Sequence, residues 1–445
     1  MKIFFAFLLV NSISSAAAPT SILSLPHRVE ILPNGLRVFM VNYPSPGAVA
    51  YQLPVHAGSR NEIEKGKTGF AHFFEHLMFR GTKNLSGKEF GNLYARLGCE
   101  NNAWTASDMT DYHGEVATAY LPQILAAEAD RFANLSFDEK ALKDEAGAVL
   151  GEYNKDIAQP EFMLEETLLA AAFKQHPYGH TTMGYREDVL KFTERYKDVW
   201  PFFRRYYRPS NVAVVLVGDF DFEKTLSVIR EKFGGWKDPE VEEVKIPQEP
   251  TQTEARNAKV ILKKPTQTRL VVAFKTPAFS TKNIDSMTLA VLAEMTFSTT
   301  SEFQKTYRFG KKWLDAIDAG PNESFDPGLW SISVRLAEAG EKHRAEILKA
   351  IDQEIEKLRS QPPKPARLNA TKKRFRNAAL TSWFSSPEAL AGRIAWYTTH
   401  ESDLGVLDRI FDRLDQVTPL GVQTYAKKHL LASAKTTVSL EGSGK

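Results

Sequence analysis

The run His72-Phe73-Phe74-Glu75-His76 constrains this chain more than any other feature of it. Two histidines four residues apart stand one above the other on a helix, and Glu75 reaches the space in front of them. The flanking residues Phe70, Phe73, Phe74, Leu77, Met78 and Phe79 are apolar, so the helix is predicted to be buried. A carboxylate buried beside two imidazoles is costly without compensation. A divalent metal compensates it, and zinc suits two imidazoles plus a carboxylate with one position left for water. The competing reading is an ordinary hydrogen-bonded polar patch. The apolar surroundings weigh against it, and so does a second acidic element, Asp144 to Tyr153, in which Glu145 and Glu152 lie seven residues apart. That spacing is two helical turns on one face. One of these glutamates can ligate a metal while the other orients a ligating histidine from behind.

Composition narrows the class. The 445 residues are 43% hydrophobic and 25% charged, as in ordinary globular proteins. A net charge of +3 without any Lys/Arg-rich block is too small and unpatterned to imply a nucleic-acid partner. The chain opens with Met1-Lys2, a short apolar core from Ile3 to Val10, and the small residues Ser14 to Ala18. This pattern reads as a signal peptide over residues 1–18, too short to span a membrane. No later stretch is apolar enough to span a bilayer, so the mature protein is expected to be soluble and exported, in a bacterium to the periplasm. Cys99 is the only cysteine, which rules out an internal disulfide and suits a small buried residue.

Read for organisation, the chain divides in two. Pro33-Asn34-Gly35 between strand-like runs from Val29 to Val41 signals a hairpin. Ala48 to Ala57 reads as a strand, Leu121 to Glu152 as an amphipathic helical segment, and Ala213 to Val217 as a closing strand. Residues 239–257, rich in Glu, Pro, Gln and Thr, read as a linker between domains at 24–238 and 258–445. The second half then repeats the plan. Leu270 to Phe274 parallels the early strand, Met287 to Thr296 parallels the histidine helix without its histidines, and Lys427 to Leu440 parallels Arg205 to Val217. The expected fold is α+β: two pseudo-repeated domains, each a mostly antiparallel sheet with helices packed on it, facing each other across a cleft.

The order H-x-x-E-H inverts the commoner H-E-x-x-H zinc motif. With a following E-x6-E, it resembles the pitrilysin/insulinase family of inverzincin peptidases, in particular the short-chain branch that includes mitochondrial processing peptidase. In that family the last glutamate of E-x6-E follows the histidine motif by about 75 residues; here Glu152 follows His76 by 76. The resemblance implies that His72, His76 and Glu152 hold one Zn2+ per chain, that Glu75 is the general base, and that Glu145 supports a ligand. Gly98 to Thr105 resembles the family's edge strand, which implies that Asn102, Ala103 and Thr105 contact a peptide substrate added as an extra strand. His176-Pro177-Tyr178-Gly179, Tyr207 to Asn211 and Val217 to Asp219 match as well, and make Tyr178 a further candidate. Trp104 reads as packing, and His113 and His180 as ordinary polar residues without a partner at ligand spacing.

One departure bears on partners. Active single-chain relatives carry an arginine and a tyrosine seven residues apart in the second half, both contacting substrate. Arg308 fits the arginine, but the position seven residues on is Asp315. The resemblance therefore implies a zinc endopeptidase acting as the metal-bearing subunit of a heterodimer, with a related second subunit supplying the Arg/Tyr pair. The alternative is a non-catalytic scaffold of the same fold, like the respiratory-complex core proteins. Such members usually lose part of the zinc set, and all four residues are present here.

Overall fold

The computed structural model describes residues 21–320 and 323–443; the signal segment read at 1–18 lies outside the described residues. Among the described residues, eleven strands form two sheets. In the first half they are β1 (His27–Ile31), β2 (Arg37–Asn42), β3 (Ala48–Val55), β4 (Glu100–Thr105), β5 (Thr110–Ala117) and β6 (Ala213–Gly218). The second half contributes β7 (Arg256–Leu262), β8 (Arg269–Thr276), β9 (Leu314–Asp318), β10 (Gly328–Leu336) and β11 (Lys435–Gly442). The helices that position the site are α1 (Phe70–Leu77), α2 (Gly87–Arg96), α3 (Leu121–Asn134), α4 (Glu139–Asp156) and α5 (Pro160–Ala172).

The strand orders β1-β2-β6-β3-β5-β4 and β7-β11-β8-β10-β9 make the internal repeat explicit. Apart from β1, the two orders superimpose, with one parallel pair (β2 with β6, β7 with β11) and antiparallel pairs elsewhere. The helix Asp285–Phe297 stands where α1 stands, between the third strand of its sheet and the edge strand. The α+β pseudo-repeat read from the sequence is therefore the fold. The predicted hairpin forms too: Gly35 takes φ +87°, and Leu32 and Leu36 close the turn by a backbone bond of 2.9 Å.

Two readings need correction. The helical segment expected from Leu121 to Glu152 is two helices, α3 and α4, because Asp138 caps a new start by accepting from the Ala141 amide at 2.7 Å. The linker expected through residue 257 ends sooner: β7 already pairs with β11 at Arg256 and Asn257.

The halves interlock by exchanging helices. From the first half, α5 lays Leu164 and Leu168 on Val271, Ala273, Val438 and Leu440 of the second sheet. From the second half, the helix Pro387–His400 buries Ala391, Ile394 and Ala395 in one cluster with Val41, Ala50, Val215 and Val217 of the first sheet. Each fully buried aliphatic side chain contributes about 1.5–3 kcal/mol, so removing one half uncovers one face of the other's sheet, while the opposite face of the first sheet keeps a core drawn only from residues 32–236. No described helix is long and apolar enough to cross a membrane.

Candidate metal centre

The histidine helix starts where its sequence forces it to. Gly69 takes φ +87°, and a Cβ there would lie 2.6 Å from the Met183 carbonyl oxygen, so only glycine fits. The buried Glu62 carboxylate accepts from the Gly69 and Ala71 amides at 2.6 and 2.7 Å, satisfying two of the free N–H groups at the helix start. The opposite face is fixed by aromatic packing: Phe73 stacks on Phe192 at 4.5 Å and Phe74 on Phe202 at 5.1 Å between ring centres. A helix clamped at its start and along one side presents its remaining face in a single orientation.

That face carries His72, Glu75 and His76, and α4 brings Glu152 opposite. Glu152 Oε2 lies 3.7 Å from His72 Nε2 and 3.4 Å from His76 Nε2. One donor atom from each of the three residues falls within 4.8 Å of the others, the only such group of three among the described residues. The set fits zinc chemically: two imidazole nitrogens and a carboxylate oxygen, converging on one side of a cavity of about 680 Å³. Protonation states favour it as well. Burial, with the neighbouring imidazole of His76, holds His72 down at about 3, so its nitrogen lone pair stays free. His76 Nδ1–H donates to Glu145 Oε1 at 2.8 Å, which fixes the tautomer and turns Nε2 toward Glu152. Arg80, in the turn just after α1, pairs with the other oxygen of Glu145.

Glu75 sits beside this group but bonds elsewhere. Thr105 Oγ1 donates to Glu75 Oε2 at 2.6 Å. Burial raises the Glu75 carboxyl, against the downward pull of Thr105 and His76. The strand carrying Thr105, β4, is the edge of its sheet. Asn102 on that edge lines the cavity, together with Arg80 and Lys88. The Ala103 side chain points into the core, and its amide donates to Asn102 Oδ1 at 2.9 Å.

The remaining candidates lie apart from this cavity. Arg308 donates to Gln304 Oε1 at 3.0 Å, and Asp315 accepts from Gln267 Nε2 at 2.5 Å. Tyr178 is buried and donates to Asp108 Oδ1 at 2.6 Å. His113 and His180 are not among the cavity-lining residues, and Cys99 is a buried free thiol. Trp104 packs toward Trp396 with ring centres 6.2 Å apart. Sequence reasoning missed Arg80 and Lys88. No helical spacing signals Arg80, since α1 ends at Leu77 and Arg80 reaches the site from the turn that follows.

Residues 37–186 match the insulinase family (peptidase family M16), and residues 194–375 match the family's inactive domain. The chain belongs to peptidase family M16. The match puts the histidine helix and Glu152 in the insulinase portion. Among M16 relatives, the zinc protease PqqE of Helicobacter pylori is 29% identical over 387 residues, covering 86% of this chain and 85% of that protein. A probable mitochondrial-processing peptidase subunit beta of Schizosaccharomyces pombe is 29% identical over 215 residues, 48% of this chain and 46% of its own length. The crystal structure of a Helicobacter pylori protease superimposes with a TM-score of 0.84 at 27% identity, covering 94% of this chain and 99% of that one.

Proposed function

We propose that the protein is an exported zinc endopeptidase that cleaves extended peptides, with His72, His76 and Glu152 as zinc ligands and Glu75 as general base. The observation that carries this reading is the convergence of those three ligand atoms within 4.8 Å, beside a carboxylate fixed next to a free sheet edge. Relatives named as zinc proteases support it. A zinc ion held by His72, His76 and Glu152 would supply Lewis acidity, polarising a bound carbonyl and acidifying a water.

The chain's own residues supply the rest. An extended peptide pairs with β4 through main-chain hydrogen bonds, which gives affinity with little demand on sequence. Glu75 Oε2 is engaged by Thr105, so Oε1 takes the proton from the water as it attacks and passes it to the leaving nitrogen. Glu145 keeps His76 turned toward the site throughout. The positive, apolar and small-residue sequence of the first 18 residues supports export.

The heteromer belongs to the same proposal. By the family resemblance, Asp315 falls at the position of a substrate-contacting tyrosine, and loss of one such hydrogen-bond donor costs on the order of a hundredfold in rate. A related subunit lacking the histidine pair, and bringing its own arginine and tyrosine, would restore the contact. The test is cleavage of an unstructured peptide before and after chelation. Activity should vanish with the metal and return on adding zinc, and should rise when such a partner is mixed in. Cleavage that survives complete metal removal would refute the reading.

A further inference from the structure

We propose that Thr105 is the positioning residue for the general base, and that its side chain serves Glu75 instead of the substrate. The inference rests on the assignment of Glu75 above. The hydroxyl of Thr105 has one hydrogen and two acceptors in view: Glu75 Oε2 at 2.6 Å and Thr110 Oγ1 at 3.5 Å. The shorter contact takes it. Thr110 is fully buried directly across the ladder from Thr105, and its own hydrogen goes to the Ala57 carbonyl at 2.9 Å. Thr105 therefore faces the helix side of the sheet, and its hydroxyl is directed at the base.

Glu75 needs such a partner. Its carboxylate ends a side chain with three rotatable bonds, facing a cavity of about 680 Å³, and Thr105 is the donor the structure gives it. A bond of 2.6 Å to one oxygen holds the other in a single direction.

The hairpin that carries Thr105 is also held firmly. Its turn closes by Ala106 N–H to Met109 O at 2.8 Å, and the Arg60 amide donates to Ser107 O at 2.8 Å. Asp108 accepts from Tyr178 Oη at 2.6 Å and from the Phe325 amide of the second half at 3.1 Å. A peptide added along β4 stiffens the same strand further. Substrate pairing and base positioning thus share one element, so a well-paired peptide finds the base better aligned than a poorly paired one.

Thr105→Val removes the hydroxyl, keeps the volume and suits a strand. Measured on the full chain with a peptide substrate, it should lower kcat by about tenfold to a hundredfold, the scale of a small misplacement of a reacting group. KM should stay within about twofold and zinc content should not change. Thr105→Ser, which keeps the hydroxyl, should recover most of the lost kcat. Should the valine variant fold poorly, Thr105→Ala takes its place against Thr105→Ser. Unchanged kcat in the variant without the hydroxyl, or a loss confined to KM, overturns the inference. Glu75→Gln run alongside separates the two claims. If that variant is inactive while Thr105→Val is normal, only the positioning role fails; if Glu75→Gln is fully active, the base assignment fails and takes this inference with it.

Discussion

His76 owes its orientation to Glu145, and Glu145 in turn holds Arg80, so one histidine of the candidate site is set by a chain of two charged residues behind it. Removing Glu145 leaves the imidazole free to rotate and strands the Arg80 guanidinium. Glu145→Ala should weaken zinc binding by roughly 10–100-fold without removing a ligand, measured by competition with a chelator of known affinity. An affinity equal to that of the unaltered protein would show that Glu145 does not orient the site. At this scale much of the candidate site was legible, because helical spacing alone puts His72, Glu75 and His76 on one face. The bond from Thr105 to Glu75 was not legible. It depends on which face of β4 points toward α1, and that is fixed by sheet register and not by any local spacing.

At the scale of elements, the β4–β5 hairpin depends on a close backbone approach. A Cβ on Gly58 would lie 2.2 Å from Ala106 O and 2.4 Å from Ser107 O, both backbone atoms of the turn. Gly58→Ala should therefore destabilise the protein by about 1–3 kcal/mol through overpacking, read as a fall in Tm. A Tm equal to that of the unaltered protein would mean the turn yields easily. The elements also show where sequence periodicity fails. Residues 121–152 keep an amphipathic pattern through the break, so they read as one helical segment; the interruption is set by Asp138, whose capping role competes with the pattern. The histidine helix, dense in aromatic residues, gave no such ambiguity.

Across the whole molecule, a polar network joins the halves. Asp326 of the second half accepts from Arg60 Nε at 2.5 Å and from His176 Nε2 at 3.0 Å, while Tyr178 Oη receives its amide at 3.3 Å. Burial alone would raise the Asp326 carboxyl, but His176 and Arg60 hold it at about 2. Its pKa is depressed on folding, so its contribution is complete above about pH 4, the ordinary aspartate range, and is lost as pH falls toward 2. Asp326→Asn should cost about 1–2 kcal/mol at pH 7 and little at pH 2, seen in denaturant melts at the two values. An equal cost at both would contradict the ionic account. The pseudo-repeat behind this arrangement was legible, since the two halves carry the same sequence of patterns. The helix exchange was not, because nothing local to α5 marks its partners: Val271 and Leu440 lie far along the chain.

The central claim is that this one cavity holds zinc on three residues and uses Glu75 to move the proton. Zinc content and peptide turnover of Glu75→Gln, measured on one preparation beside the unaltered protein, test it most directly. The account predicts about one zinc per chain in both proteins and a loss of turnover on the order of 10²–10⁴-fold in the variant, since the amide cannot accept the proton. Full turnover by Glu75→Gln would contradict it.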